Sequence, residues 1–113
     1  MASIINYLVE KADDKMFVYK VHSYGSDRLL AIADAELIGK TFSEGELDIT
    51  ISDSFYGSEK CDKEKAIQLA RTATIINAMG NGIVSLLAES KIVDKTNVLR
   101  IDTILHAQVV VVV

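Results

Sequence analysis

The stretch Asp62 to Gly80, DKEKAIQLARTATIINAMG, is the longest regular segment in the sequence, and the shorter apolar runs around it need something of that size to cover them. Asp62 is suited to cap a helix, because its carboxylate accepts from the free first-turn amides, and Glu64 places negative charge at the positive end of the helix dipole. Gly80 is a ready stop. At about 100° per residue, Ala66, Leu69, Ala70, Ala73, Ile76 and Gly80 share one stripe while Lys65, Gln68, Arg71 and Thr72 lie outside it. The spacing predicts one helix across 62–80, small-residued enough to approach its neighbour closely. Asn77 falls inside the stripe, where an unpaired amide costs about 1–3 kcal/mol, so it requires hydrogen-bond partners.

Elsewhere the periodicity is that of strands. Phe17, Tyr19 and Val21 alternate with Val18, Lys20 and His22; SYGSD is turn chemistry, and Arg28 to Ala33 returns as a second strand, making a hairpin. Asp34 is placed to cap a single turn, AELI, that ends at Gly39 and leaves Lys40 and Thr41 exposed. SEGE signals another turn, after which Leu47, Ile49 and Ile51 alternate with polar residues. Phe55, Tyr56 and Gly57 then form a loop that feeds the long helix. Asn81 is expected to cap a shorter helix that buries Ile83, Leu86 and Leu87, at a sharp angle to the first. Val98 to Ile101 and the run from Ile104 into the terminal valines read as two strands joined at Asp102-Thr103. Residues 1–15 are set apart as an N-terminal extension, and 16–113 as one domain. The order β-β-turn-β-α-α-β-β predicts an α+β fold: a two-layer α/β sandwich whose antiparallel or mixed sheet is covered on one face by two helices, rather than a βαβ wound sheet.

Charge and composition exclude several functions. With 12 basic against 16 acidic residues the net charge is −4. The densest basic group, Lys60, Lys63 and Lys65, is interleaved with acids, so no direct nucleic-acid patch is evident. The one cysteine allows no intrachain disulfide, and neither it nor the two histidines have the spacing of a metal site. No metal and no cofactor are expected. The apolar runs are too short to cross a membrane, and the N-terminal residues do not read as a secretory signal, so a cytoplasmic location is expected.

GKTF followed by EGEL, then SDSFYGSE, ATIINAMG and VLRIDTILHAQVV, together resemble the archaeal family known as Domain of Unknown Function 424, over roughly residues 16–113. The resemblance implies an archaeal cytosolic protein of small two-layer α/β fold and no known reaction. It implies polar positions at Asp34, Gly39, Lys40, Phe55, Tyr56, Gly57, Asn77, His106 and Gln108. The chain departs from the family at Ala33, where a cysteine is usual, and at Thr103 to Leu105, where Gly-Val-Pro is usual.

On a strand, His106 and Gln108 point to one face, which suffices to hold a polar ligand or orient a water but is not a catalytic set. Two functional readings follow. The first is a non-catalytic binding module that presents Phe55, Tyr56, Lys40 and His106 to a protein or ribonucleoprotein partner in translation or other information processing. The second is a small-molecule site or enzyme, in which Asp34, Lys40, Asn77, His106 and Gln108 meet in one polar cleft. A homo-oligomer joined through the valine-rich last strand is a further expectation.

Overall fold

The structure, a computed structural model, describes residues 16–111, so the extension at 1–15 and the last two valines lie outside it. Strands β1 (Phe17–Tyr24) and β2 (Asp27–Asp34) form the expected hairpin, in register from Phe17↔Asp34 to Tyr24↔Asp27. A 3-10 turn at Ala35–Leu37 leads to a second hairpin, β3 (Thr41–Glu44) and β4 (Leu47–Thr50), which makes a small sheet of its own. The chain continues through a one-turn helix α1 (Asp53–Tyr56), strand β5 (Glu59–Cys61), helix α2 (Lys63–Thr72), strand β6 (Ile75–Met79) and helix α3 (Asn81–Glu89). A 3-10 turn at Lys95–Asn97 precedes β7 (Val98–Ile101) and β8 (Ile104–Val110). The main sheet has the order β5-β1-β2-β6-β8-β7.

The long helix expected over 62–80 is corrected. Asp62 caps α2 as expected, its Oδ1 accepting from the Lys65 amide at 2.9 Å, but the helix ends at Thr72, and Ala73 is already extended. Ile75 to Met79 is instead a strand, paired parallel with β2 and antiparallel with β8. Thr74, Ile75 and Ile76 are successive β-branched residues that favour this state, and the strand bonds on both sides, which a helix there would leave unmade. Gly80 therefore ends a strand and caps α3 at φ 126°, and Asn81 is the first helical residue rather than the cap. Strands β3 and β5 were not expected either. Because β5 and β6 run in the same direction as β2, the segment β5-α2-β6 is a βαβ crossover, which the expected element order had excluded.

The fold class is otherwise as expected: α+β, with a mixed sheet. Helices α2 and α3 cover one face through Ala66, Ala70, Ile83, Val84 and Leu87, which pack on Phe17, Leu30, Ile32, Ile76, Ala78 and Ala107. Full burial of Ile76 alone is worth about 1.5–3 kcal/mol. The other face is not bare. Leu37, Ile51 and Tyr56, with Phe42, Ile49 and Phe55 at their margin, pack on Val18, Ala31, Ala33, Met79 and Ile104. The 3-10 turn, the small hairpin and α1 thus form a partial third layer. No helix among the described residues is long and apolar enough to cross a membrane.

Candidate functional site

The second sheet face carries most of the polar residues singled out above. Cross-strand pairing sets them in rows: Lys20, Ala31, Asn77 and Gln108 in one, and Val18, Ala33, Met79, His106 and Leu99 in the next. Asn77 and His106 are half-buried, whereas Gln108 is exposed. Above them stands α1. Its Tyr56, 5% exposed, donates its hydroxyl to Asn77 Oδ1 at 2.7 Å, and burial pushes its phenol up to about 12. His106 Nε2 donates to the same Oδ1 at 3.2 Å. One carbonyl oxygen therefore joins a phenol and an imidazole.

This fixes the chemistry of the free ends. With Nε2–H engaged, His106 Nδ1 is an acceptor, and burial lowers the imidazole's pKa, favouring the neutral form. No buried side-chain nitrogen or oxygen among the described residues lacks a partner. Asn77 Nδ2 and His106 Nδ1, which bond to no described residue, consequently reach solvent. A donor and an acceptor are thus left open on the sheet face that also carries Gln108, the cross-strand neighbour of Asn77.

Three side chains hold α1 in place. Besides Tyr56, Lys20 Nζ donates to the Ser54 carbonyl at 3.1 Å and His22 Nε2 to the Phe55 carbonyl at 2.8 Å. The His22 ring also stacks on Phe55, with centroids 5.1 Å apart, and Phe55 meets Tyr56 edge-on at 4.9 Å. Phe55 and Tyr56 sit on this helical turn rather than a loop. Gly57 ends it at φ 81°, pressed so closely on β1 that a Cβ would collide with the Tyr19 carbonyl. Sequence reasoning missed His22 and Lys20. Their alternation in β1 put them on one face, but nothing local showed that α1 would dock there.

The remaining candidates lie apart. Asp34 is on the helix-bearing face, 8% exposed, and does not cap the turn that follows it. Its Oδ2 accepts from the Gly82 amide at 2.9 Å and its Oδ1 from the Ile83 amide at 2.8 Å, so it caps α3 from a distance. Burial raises its carboxyl pKa, and those two amides pull it back down. Gly80 and Gly82 crowd the carboxylate, leaving no room for a Cβ on either. A cavity of about 390 Å³ opens beside it, lined by Met16, Phe17, Ala35, Glu36, Asn81 and Gly82. Lys40 is exposed at the root of the small hairpin, where Gly39 and Lys40 pair through their backbones with Ile51. The fold thus joins Asn77, His106, Gln108, Tyr56 and Phe55, and places Asp34 across the sheet from them.

Two further groups bear on chemistry. Cys61 is buried on the helix-bearing face, which pushes its thiol up to about 11 and keeps it protonated at neutral pH. Arg28 of β2 joins Lys65 and Arg71 of α2 in lining one groove of about 540 Å³. Three cations are well short of the roughly 6–10 phosphate contacts of a dedicated DNA binder. Among the described residues there is no group of three or more His, Cys, Asp or Glu placed to hold a metal ion.

The family described as "Protein of unknown function (DUF424)" matches residues 21–112. The chain belongs to this family. The match runs from within β1 through β8, and its span takes in the positions of Tyr56, Asn77 and His106. A solved structure described as "Crystal structure of an uncharacterized conserved protein from Methanopyrus kandleri" superposes with a TM-score of 0.71, covering 82% of this chain and 89% of that one at 19% identity. Likeness at that identity shows the shared fold. No curated protein matches the chain at a significant level. Within the family's span, the departures expected at Ala33 and Thr103–Leu105 fall at a buried strand position and at the turn into β8. Ala33 is fully buried under the third layer, and the Thr103 carbonyl and Leu105 amide are both bound by the Asn81 side chain.

Proposed function

We propose that this protein is a non-catalytic binding module, which engages a protein or ribonucleoprotein partner through the sheet face bearing Asn77, His106 and Gln108 and the adjoining Phe55–Tyr56 wall. One observation carries the reading: the Tyr56–Asn77–His106 cluster ends in a free donor and a free acceptor at the surface, and no serine, cysteine or carboxylate is bonded into it. The phenol is held protonated and gives its hydrogen to Asn77, and the imidazole gives its Nε2–H to the same amide, so a partner meets Nδ1 as an acceptor and the Asn77 Nδ2 as a donor. The one-cleft enzyme reading loses Asp34 to the other side of the sheet, and with it the only carboxylate it invoked.

The test is affinity capture from the native extract with tagged protein, beside His106→Ala and Gln108→Ala, with and without ribonuclease. A defined partner held by the parent and lost with both variants supports the reading, and ribonuclease sensitivity separates the two partner classes. A partner retained equally by both variants refutes this face as the binding surface.

A further inference from the structure

A groove beside β7, centred on the helix-bearing face and so across the sheet from the His106 ring, combines three features. Strand β7 is the outermost strand on its side of the sheet and pairs with β8 alone, so one side of its backbone has no strand partner among the described residues. Beside it α3 supplies Val84, Ser85 and Ala88, and these with Val98, Leu99 and Leu105 line about 340 Å³ of mostly apolar space. The charged residues that line it are both cations, Lys95 and Arg100, in a chain of net charge −4. Asp94 Oδ1 accepts from the Thr96 amide and hydroxyl at 3.1 and 3.3 Å, and Arg100, which lines the groove, donates its Nε to the backbone carbonyl of Asp102 at 3.1 Å rather than to a carboxylate.

We propose that this groove binds an extended acidic peptide segment of a partner protein. The segment adds to β7 as a seventh strand, sets alternate apolar side chains between α3 and β7, and meets Lys95 and Arg100 with its carboxylates. An open edge beside a helix is the arrangement in which backbone bonds give affinity and a side pocket gives specificity. The four residues of β7 match about four residues of ligand, roughly 13 Å at strand spacing. A second copy of the chain is the poorer occupant. Antiparallel pairing of two β7 strands would bring Lys95 and Arg100 of both copies to one interface, like charge against like.

The experiment is selection of phage-displayed random dodecapeptides on the full chain, followed by fluorescence anisotropy of the enriched peptides. Ala88→Trp fills the groove from an exposed helix position, and Lys95→Glu with Arg100→Glu reverses its charge; circular dichroism checks that both variants fold. Enriched peptides should alternate apolar and acidic residues, and each variant should weaken them at least about tenfold, the equivalent of 1.4 kcal/mol. His106→Ala should leave them unchanged, which distinguishes this groove from the face proposed above. Absence of enrichment, or peptides that bind Ala88→Trp as tightly as the parent, overturns the proposal.

Discussion

Replacing Asp34 by alanine should be among the most damaging polar substitutions in the chain. Its two oxygens each receive a backbone amide of α3, at 2.9 and 2.8 Å, and the Ile83 bond is buried. Hydrogen bonds to a charged group contribute about 1.5–3 kcal/mol each, so the pair is worth roughly 3–6 kcal/mol before offsets. Two effects reduce this. Removing a buried carboxylate recovers part of its desolvation cost, the same cost that raises its pKa, and the adjoining 390 Å³ cavity admits water to the exposed Gly82 amide. A net loss of about 2–4 kcal/mol is expected for Asp34→Ala. Asp34→Asn keeps one acceptor and should lose about half as much. In urea denaturation at pH 7, with a slope near 1.3 kcal/mol per molar for a domain of this size, Asp34→Ala should shift the midpoint down by about 2 M. A shift below about 0.7 M, or an asparagine variant as unstable as the alanine one, would refute the view that this carboxylate holds the start of α3.

Tyr56→Phe removes one of the two donors to Asn77 Oδ1 without opening a cavity, and should cost about 0.5–1.5 kcal/mol in the same denaturation assay. Gly57→Ala forces a Cβ onto the Tyr19 carbonyl at a positive φ, so a loss above about 2 kcal/mol is expected, read as a lowered melting temperature by calorimetry. His106 has a folded pKa below its unfolded value of about 6.5, so its contribution is fully present above that pH and is lost as pH falls through the folded value. Thermal melts from pH 7.5 to 4.5 should accordingly show the parent losing more stability towards acid than His106→Gln; parallel curves would refute it.

Much of the fold is legible because period-two alternation is a local property. Half-buried strands show it without reference to their partners, which is why β1, β4 and the start of β8 are readable and why His106 and Gln108 are assignable to one face, whereas β2 and β7 are legible as short apolar runs between turn signals. The cap of α2 is local too, since Asp62 bonds three residues ahead. β6 is the opposite case. Ala66, Ala70, Ala73 and Ile76 satisfy a helical stripe as well as Ile76 and Ala78 satisfy a strand, and only the presence of β2 and β8 on either side decides between them.

The site followed from that decision. With 62–80 helical, Asn77 is correctly expected to have partners, but they cannot be named; on β6 it lies opposite Gln108, within reach of His106 and under Tyr56. Asp34 moved for the same reason. Parallel pairing of β2 with β6 brings their C-terminal ends together, so the carboxylate that closes β2 meets the helix that begins just after β6. The sequence by itself determined which residues share a face and where the local caps lie, because those depend on neighbours a few positions away. Tertiary structure alone decided the strand state of β6, the target of Asp34 and the meeting of Tyr56, Asn77 and His106, because each rests on hydrogen bonds between segments about 20 to 50 residues apart, which no local pattern encodes.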